Sequence, residues 1–284
     1  MRFDRGVPIK VFFAPPEVSG RFFYRSSMEG FNFDVVDTRV EYLLSTLLAV
    51  AQNPPGERQG VYLGSTPTPA LLPGFERENP LPLALPASPE PRIWIGNQSI
   101  VAPHFDESDN IACVVRGRRK FRLFPPDQLS NLYVGPIDQT MAGQPASMVD
   151  IDNPDFDRFP RFRHALETMI TAELDPGDAI YIPALWWHHV EARGDLNVLI
   201  NYWWNDVPLD GGSPMNALGH GLMTISHLPP EQREVWRRMF DHYVFRTEGD
   251  PAAHIPPAAQ GILGPSTPQL RQRMKAFLLK VLSH

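Results

Sequence analysis

The sequence predicts a mainly β domain, a sandwich or small barrel of short strands, followed by a helical extension. Three observations carry this reading. From Arg92 to Trp204, short runs of β-branched and aromatic residues alternate with polar, Gly-containing turns. Prolines, 31 in all, crowd the stretch between Pro54 and Pro91, where regular helix and interior strand are disfavoured. After Trp204 the apolar pattern changes to helical spacing. The expected division is a β domain with N-terminal flanking elements over residues 1–210 and a helical extension over 211–284.

Residues 8–14 (PIKVFFA) and 31–36 (FNFDVV) read as short strands. Over 39–51, RVEYLLSTLLAVA places Val40, Leu43, Leu44, Leu47 and Leu48 on one helical stripe, and QNPPGERQG stops that helix. QGVYLG, ending at Gly64, is a strand carrying Tyr62, whereas 66–91 has no periodicity and is expected to wrap the domain. RIWIG and SIVAPHF are expected as the two strands of a hairpin across a short polar gap. VVRGRRKFRLF reads as two strands around a turn at Gly117, and AIYIPALWWHHVEA and LNVLINYWW as two further strands. Pro-Gly-Asp before Ala179 supplies a tight turn. Between these lies a mixed segment, 127–172, with a short helix near 162–171. Two amphipathic helices end the chain, one with Val235, Trp236, Met239, Phe240 and Tyr243 on its stripe. The other has Leu270, Met274, Phe277, Leu278, Val281 and Leu282. Each stripe needs a surface, on the barrel or on a second copy of the chain, so a homodimer through these helices is expected.

Composition narrows the function classes. The net charge of −6 speaks against a broad nucleic-acid surface, although Arg116, Arg118, Arg119, Lys120 and Arg122 form a local basic cluster. No stretch approaches the apolar length of a membrane span, and the N-terminus lacks the apolar core of a signal peptide. The single cysteine, Cys113, excludes a disulfide framework and cysteine-rich metal sites, which favours a reducing, cytoplasmic setting.

The chemistry-bearing stretch is His104-Phe105-Asp106. On extended backbone its imidazole and carboxylate point to one face and can take adjacent positions on one metal ion. A third ligand is available in Trp186-Trp187-His188-His189. Two histidines and one carboxylate form the facial set of non-haem Fe(II) oxygen chemistry. His188 and His189 project to opposite faces of a strand, so one of them serves, and alternation alone does not select which.

PHFDESDN, GRRKFRLFPPDQLSNLYVGP, VDIDNPDFDRFPRF, LDPGDAIYIPALWWHHVEA and VLINYWW occur in the order seen in the cupin-like/JmjC group of Fe(II)/2-oxoglutarate oxygenases. Over Tyr62 to Trp204 the chain resembles especially the hypoxia-inducible-factor asparaginyl hydroxylase branch and its bacterial cupin-like relatives. The resemblance implies a double-stranded β-helix, or jelly roll, and His104, Asp106 and His188 as Fe(II) ligands. It implies that 2-oxoglutarate and dioxygen are cosubstrates, with decarboxylation to succinate coupled to substrate hydroxylation. Arg119 falls at the family's basic position for the distal carboxylate of 2-oxoglutarate, with Lys120 on the other face as the runner-up. Tyr62 matches a tyrosine that bonds the same carboxylate. Asn110 and Asn201 match asparagines near its C1 end, and Trp203 shares the face of Asn201.

The chain also departs from the pattern. Val101, Ser108 and Gly64 stand where the family has a threonine and two substrate-side glutamines, so peptide asparaginyl hydroxylation does not carry over. A protein side chain or a small molecule is the expected substrate, with a modified nucleotide less favoured by charge. Competing readings are a metal-binding cupin with other chemistry (a 2-oxoglutarate-independent dioxygenase or an isomerase) and a non-catalytic interaction module.

Overall fold

The computed structural model describes residues 2–86, 88–141, 143–206 and 212–283. These fall into two compact units, Met1–Asp206 and Val207–His284. The boundary expected between 210 and 211 lies outside the described residues.

The first unit begins with β1 (Ile9–Ala14), β2 (Arg21–Phe22), β3 (Asp34–Thr38) and α1 (Val40–Val50). Next come β4 (Gly60–Pro67), α2 (Thr68–Leu71), α3 (Phe75–Glu78), β5 (Pro91–Gly96) and β6 (Ser99–His104). It closes with β7 (Asp109–Phe124), α4 (Phe162–Thr168), β8 (Ile170–Leu174), β9 (Ala179–Ile182) and β10 (Trp187–Trp204).

The two long strands organise the domain. Residues 187–193 of β10 pair with β6 and with Arg118–Phe124 of β7, whereas 197–204 pair with β5 and with Asp109–Arg116. β8 adds to the second half of β7 and β9 to the first. Each long strand therefore passes from one four-stranded layer to the other, β6–β10–β7–β8 and β5–β10–β7–β9. That is the jelly roll, with β7 and β10 each serving as two strands. The first of these layers is extended by β2 and the second by β4, β1 and β3.

Gly117 is accordingly not the tip of a hairpin. It sits within β7 at φ 77°, where the strand bends and its register against β10 shifts. AIYIPALWWHHVEA, expected as one strand, is broken at 183–186, and the following LNVLINYWW continues β10. The proline-rich stretch holds two one-turn helices, and β8 begins inside the residues expected as the end of a helix, 162–171. RIWIG and SIVAPHF, expected as a hairpin, become β5 and β6 in separate layers, each paired with β10 rather than with the other.

Apolar residues from both halves of β7 and β10 meet between the layers. Ala112, Val114, Phe121, Leu123 and Leu199 pack there with Leu174 and Ile182. On the outer side, α1 buries Val40, Leu43, Leu47 and Val50 against β1, β4 and β5. Leu48, expected on that stripe, faces solvent. The segment between β7 and α4 builds a separate core of Phe124, Leu132, Val149, Ile151, Phe162, Ala165 and Trp187.

The second unit contains α5 (Pro214–Thr224), α6 (Pro230–Phe240) and α7 (Pro268–Leu282). α5 adds to the two helices expected. Ser213 and Thr267 cap α5 and α7, accepting from the amides of Met215 and Leu270. The stripes of α6 and α7 are exposed, Trp236, Met239, Phe277, Leu278 and Leu282 among them.

Among the described residues no helix is long and apolar enough to cross a membrane.

Candidate active site

His104 ends β6 and His188 lies directly across from it on β10. Opposed residues of an antiparallel pair point to the same side. Their rings are 4.3 Å apart between centroids, and Asp106 Oδ2 is 3.5 Å from His188 Nε2. One ligand atom from each of the three falls within 4.8 Å of the others.

A register shift between His188 and Val190 makes this face possible. The extra residue in β6 turns both Val101 and His104 toward the same side, which strict alternation forbids. The turn before β10 is fastened to the loop carrying Asp106. Leu185, in left-handed conformation at φ 65°, donates its amide to the Asp106 carbonyl at 2.8 Å. Asp109 Oδ1 accepts from the Tyr181 hydroxyl at 2.6 Å and from the Ala184 amide at 3.2 Å.

Both imidazoles are oriented for ligation. His104 Nδ1 lies 2.9 Å from the Ala102 carbonyl and His188 Nδ1 lies 3.1 Å from that of Trp186. A carbonyl only accepts, so each Nδ1 carries the proton and leaves the Nε2 lone pair free. Burial, reinforced by the adjacent His104, pushes the His188 imidazole down to about 4, which keeps it neutral. A metal takes an imidazole in that form, so the donor set fits a divalent ion with open positions.

Arg119 lies on the second half of β7, 4% exposed, between Ala192 and Leu174. Its Nε has no partner among the described residues, and it enters none of the ion pairs that engage its neighbours. Arg118 pairs with Asp175, and Lys120, on the opposite face, lies 3.6 Å from Glu173. Burial pulls the Arg119 guanidinium below its ordinary range, and Tyr62 partly restores it. Burial pushes the Tyr62 phenol up to about 12 despite the lowering effect of Arg119. A buried cation without a carboxylate is costly, and its charge is available to an anion entering the barrel.

The remaining polar candidates bond to one another. Trp94 Nε1 donates to Asn201 Oδ1 at 2.8 Å, and Asn201 Nδ2 donates to Asn110 Oδ1 at 3.3 Å. Trp203 packs edge-on against Trp94 at 6.0 Å, and its buried Nε1 has no partner among the described residues. Trp94 also lies 6.0 Å from Tyr62, so it joins Tyr62, Asn201 and Trp203 into one wall. Sequence reasoning missed this tryptophan. The alternation of RIWIG carries the signal, but only once its inward parity is known.

His189 faces the other way, 2% exposed and opposite Arg122. Phe105 and Trp187, which alternate with the candidate ligands, meet edge to face at 5.0 Å in the core beneath the site. Packing of the intervening residues thus helps hold the ligand side chains on the other face.

A family model described as a cupin-like domain matches residues 1–210. Over 113 residues the chain is 38% identical to the lysine-specific demethylase JMJ31 of Arabidopsis thaliana, covering 39% of this chain and 20% of that protein. It is 37% identical to HSPB1-associated protein 1 of Bos taurus over 116 residues, 40% of this chain and 23% of that one. Identity to tRNA wybutosine-synthesizing protein 5 of Gallus gallus is 28% over 150 residues, 48% of this chain and 44% of that one. The matched region thus spans less than half the length of each of these relatives.

Proposed function

The chain belongs to the cupin-like domain family, and from that premise we propose that it is an Fe(II)- and 2-oxoglutarate-dependent oxygenase. The observation that carries the proposal is Arg119, a buried guanidinium without a carboxylate partner among the described residues, in the same barrel as the His104, Asp106 and His188 cluster. A metal-only cupin or an interaction module has no use for that charge.

In this reading His104 and His188 offer Nε2 and Asp106 offers a carboxylate oxygen to the ion. Bound there, ferrous iron supplies dioxygen activation coupled to decarboxylation of 2-oxoglutarate to succinate and to hydroxylation of the substrate. Arg119 would meet the distal carboxylate with a two-pronged fork, stronger than the point charge of a lysine. Tyr62, kept protonated by burial, would donate a hydrogen bond beside it. Asn110 and Asn201 would present amides toward the other end of the cosubstrate, and the wall of Trp94 and Trp203 would exclude water. Lys120, paired with Glu173 outside, has no part in this.

We further propose a protein side chain or a small molecule as the primary substrate. One relative is named for tRNA modification and another for lysine demethylation, but a net charge of −6 opposes a broad polyanion surface. The exposed stripes of α6 and α7 support pairing with a second copy of this chain. Sedimentation of dilute protein as a 32.1 kDa monomer would remove that part of the proposal.

The test is anaerobic addition of Fe(II) and then 2-oxoglutarate. A weak visible charge-transfer band is expected, absent in His104→Ala, and admission of oxygen yields succinate even without substrate. Arg119→Ala raises the 2-oxoglutarate concentration required far more than Lys120→Ala does. Bound metal with no 2-oxoglutarate-dependent band, and no succinate, overturns the assignment.

A further inference from the structure

The main chain of His104 is held from two sides. On one side stands β10 with His188. On the other, Ala146 forms an antiparallel bridge to His104, and the Ser147 amide donates to the Pro103 carbonyl at 2.7 Å. That strip is backed by 132–135: Gly135 donates its amide to the Ala146 carbonyl at 2.9 Å, Met148 to that of Tyr133 at 3.0 Å, and the Ser147 hydroxyl to that of Leu132. A few residues further on it is tied down a second time. From Ser147 to Asp152 burial alternates with a period of two. Ser147, Val149 and Ile151 are buried, Val149 and Ile151 in the core that also packs Phe105 and Trp187. The intervening carboxylates reach two arginines, Asp150 to Arg21 at 2.8 Å and Asp152 to Arg122. Arg21 stands on β2 beside β6, and Arg122 on β7 beside His189.

The two ion pairs are unequal. Arg21 is partly exposed and lies over the Phe23 ring, so its charge is solvated and shared. Arg122 is buried, with its Nη1 unpartnered among the described residues, which leaves Asp152 as its counter-charge. Asp152 therefore both neutralises a guanidinium inside the sheet and ties down the strip that edges His104.

We propose that Arg122 and Asp152 are positioning residues for the metal centre. They form a latch that presses the 146–149 strip against the end of β6 and so sets where His104 presents its ring. Neither residue touches the candidate ligand cluster. The inference rests on the reading of His104 as a metal ligand, and its test separates the two.

Two measurements on the metal-free protein form that test: hydrogen exchange at the Ser147 amide, and affinity for Co(II) followed through its visible absorption. Asp152→Asn is expected to speed Ser147 exchange and to weaken Co(II) binding about tenfold, as loss of support behind a ligand typically does. Asp175→Asn, which breaks the exposed pair with Arg118 elsewhere on β7, changes neither. The double variant Arg122→Met with Asp152→Asn removes the stranded cation. A latch predicts that Co(II) affinity stays low in it, whereas a mere buried-charge penalty predicts recovery to the wild-type value. Recovery overturns the proposal, as does unchanged Co(II) affinity in Asp152→Asn with or without faster exchange. If wild-type protein binds no Co(II), the functional reading fails first. Unchanged Ser147 protection in Asp152→Asn then removes the latch as well, and lost protection retains its hold on the strip.

Discussion

His104 and His188 face each other across adjacent antiparallel strands, and each turns Nδ1 to the carbonyl of the residue two positions before it. Two candidate ligands thus share one local device. The strand hands the ring a main-chain acceptor, the acceptor fixes the tautomer, and the tautomer leaves Nε2 bare beside the Asp106 carboxylate. The site is therefore organised by backbone before any metal arrives.

That relationship separates His188 from its neighbour. His188→Ala removes a ligand and is expected to lose metal binding. His189→Gln, changed on the opposite face, retains one-to-one metal binding even where it lowers stability. Titration with Co(II), read by its visible bands, checks both variants. Loss of binding in His189→Gln alone would reverse the assignment.

Tyr62 gives a pH dependence. Its folded-state value, pushed up to about 12, lies above the ordinary 10.0, so the folded protein holds this proton more tightly than the unfolded chain. The stability it contributes is whole below pH 10 and declines as pH rises through about 12. Between pH 9 and 11.5 the wild type should lose about 2 kcal/mol more unfolding free energy than Tyr62→Phe. Urea denaturation at the two pH values measures this, and parallel losses would remove the buried phenol as the cause.

Much of the fold and the candidate ligand set was legible in the sequence because strand alternation and the His-x-Asp spacing are local. What was not legible depends on partners distant in the chain. Gly117 signals a positive φ, which a hairpin turn and a bend within one strand satisfy equally, and only the pairing of β7 with both halves of β10 decides. β8 was missed although ITAEL alternates, because its first residues overlap the helical pattern read over 162–171 and its place comes from pairing with Arg119–Leu123. The Val101 and His104 faces follow from a register shift with no residue signature. Parity puts Arg119 and Lys120 on opposite faces without saying which is inward, and only the pairings of β7 show Arg119 buried and Lys120 beside Glu173.

The bend at Gly117 yields the last prediction. A Cβ there would stand 2.0 Å from Asn197 Oδ1 and 3.0 Å from the Leu196 carbonyl, on a backbone already at φ 77°. Asn197 is fully buried and donates from Nδ2 to the carbonyls of Asn97 and Gly194, both at 3.2 Å, so it moves only by giving up those bonds. Left-handed strain and the lost hydrogen bonds together put the cost of Gly117→Ala at ~3 kcal/mol or more. Gly177 offers the control. It also has positive φ, 100°, but nothing lies within 4 Å of its would-be Cβ, so Gly177→Ala carries strain alone, about 1 kcal/mol. Because Arg119 follows two residues after the bend, any Gly117→Ala protein that folds should also need more 2-oxoglutarate to reach half-maximal turnover. Chemical denaturation of both variants is the measurement, and equal losses would mean that the bend does not depend on the close approach of Asn197.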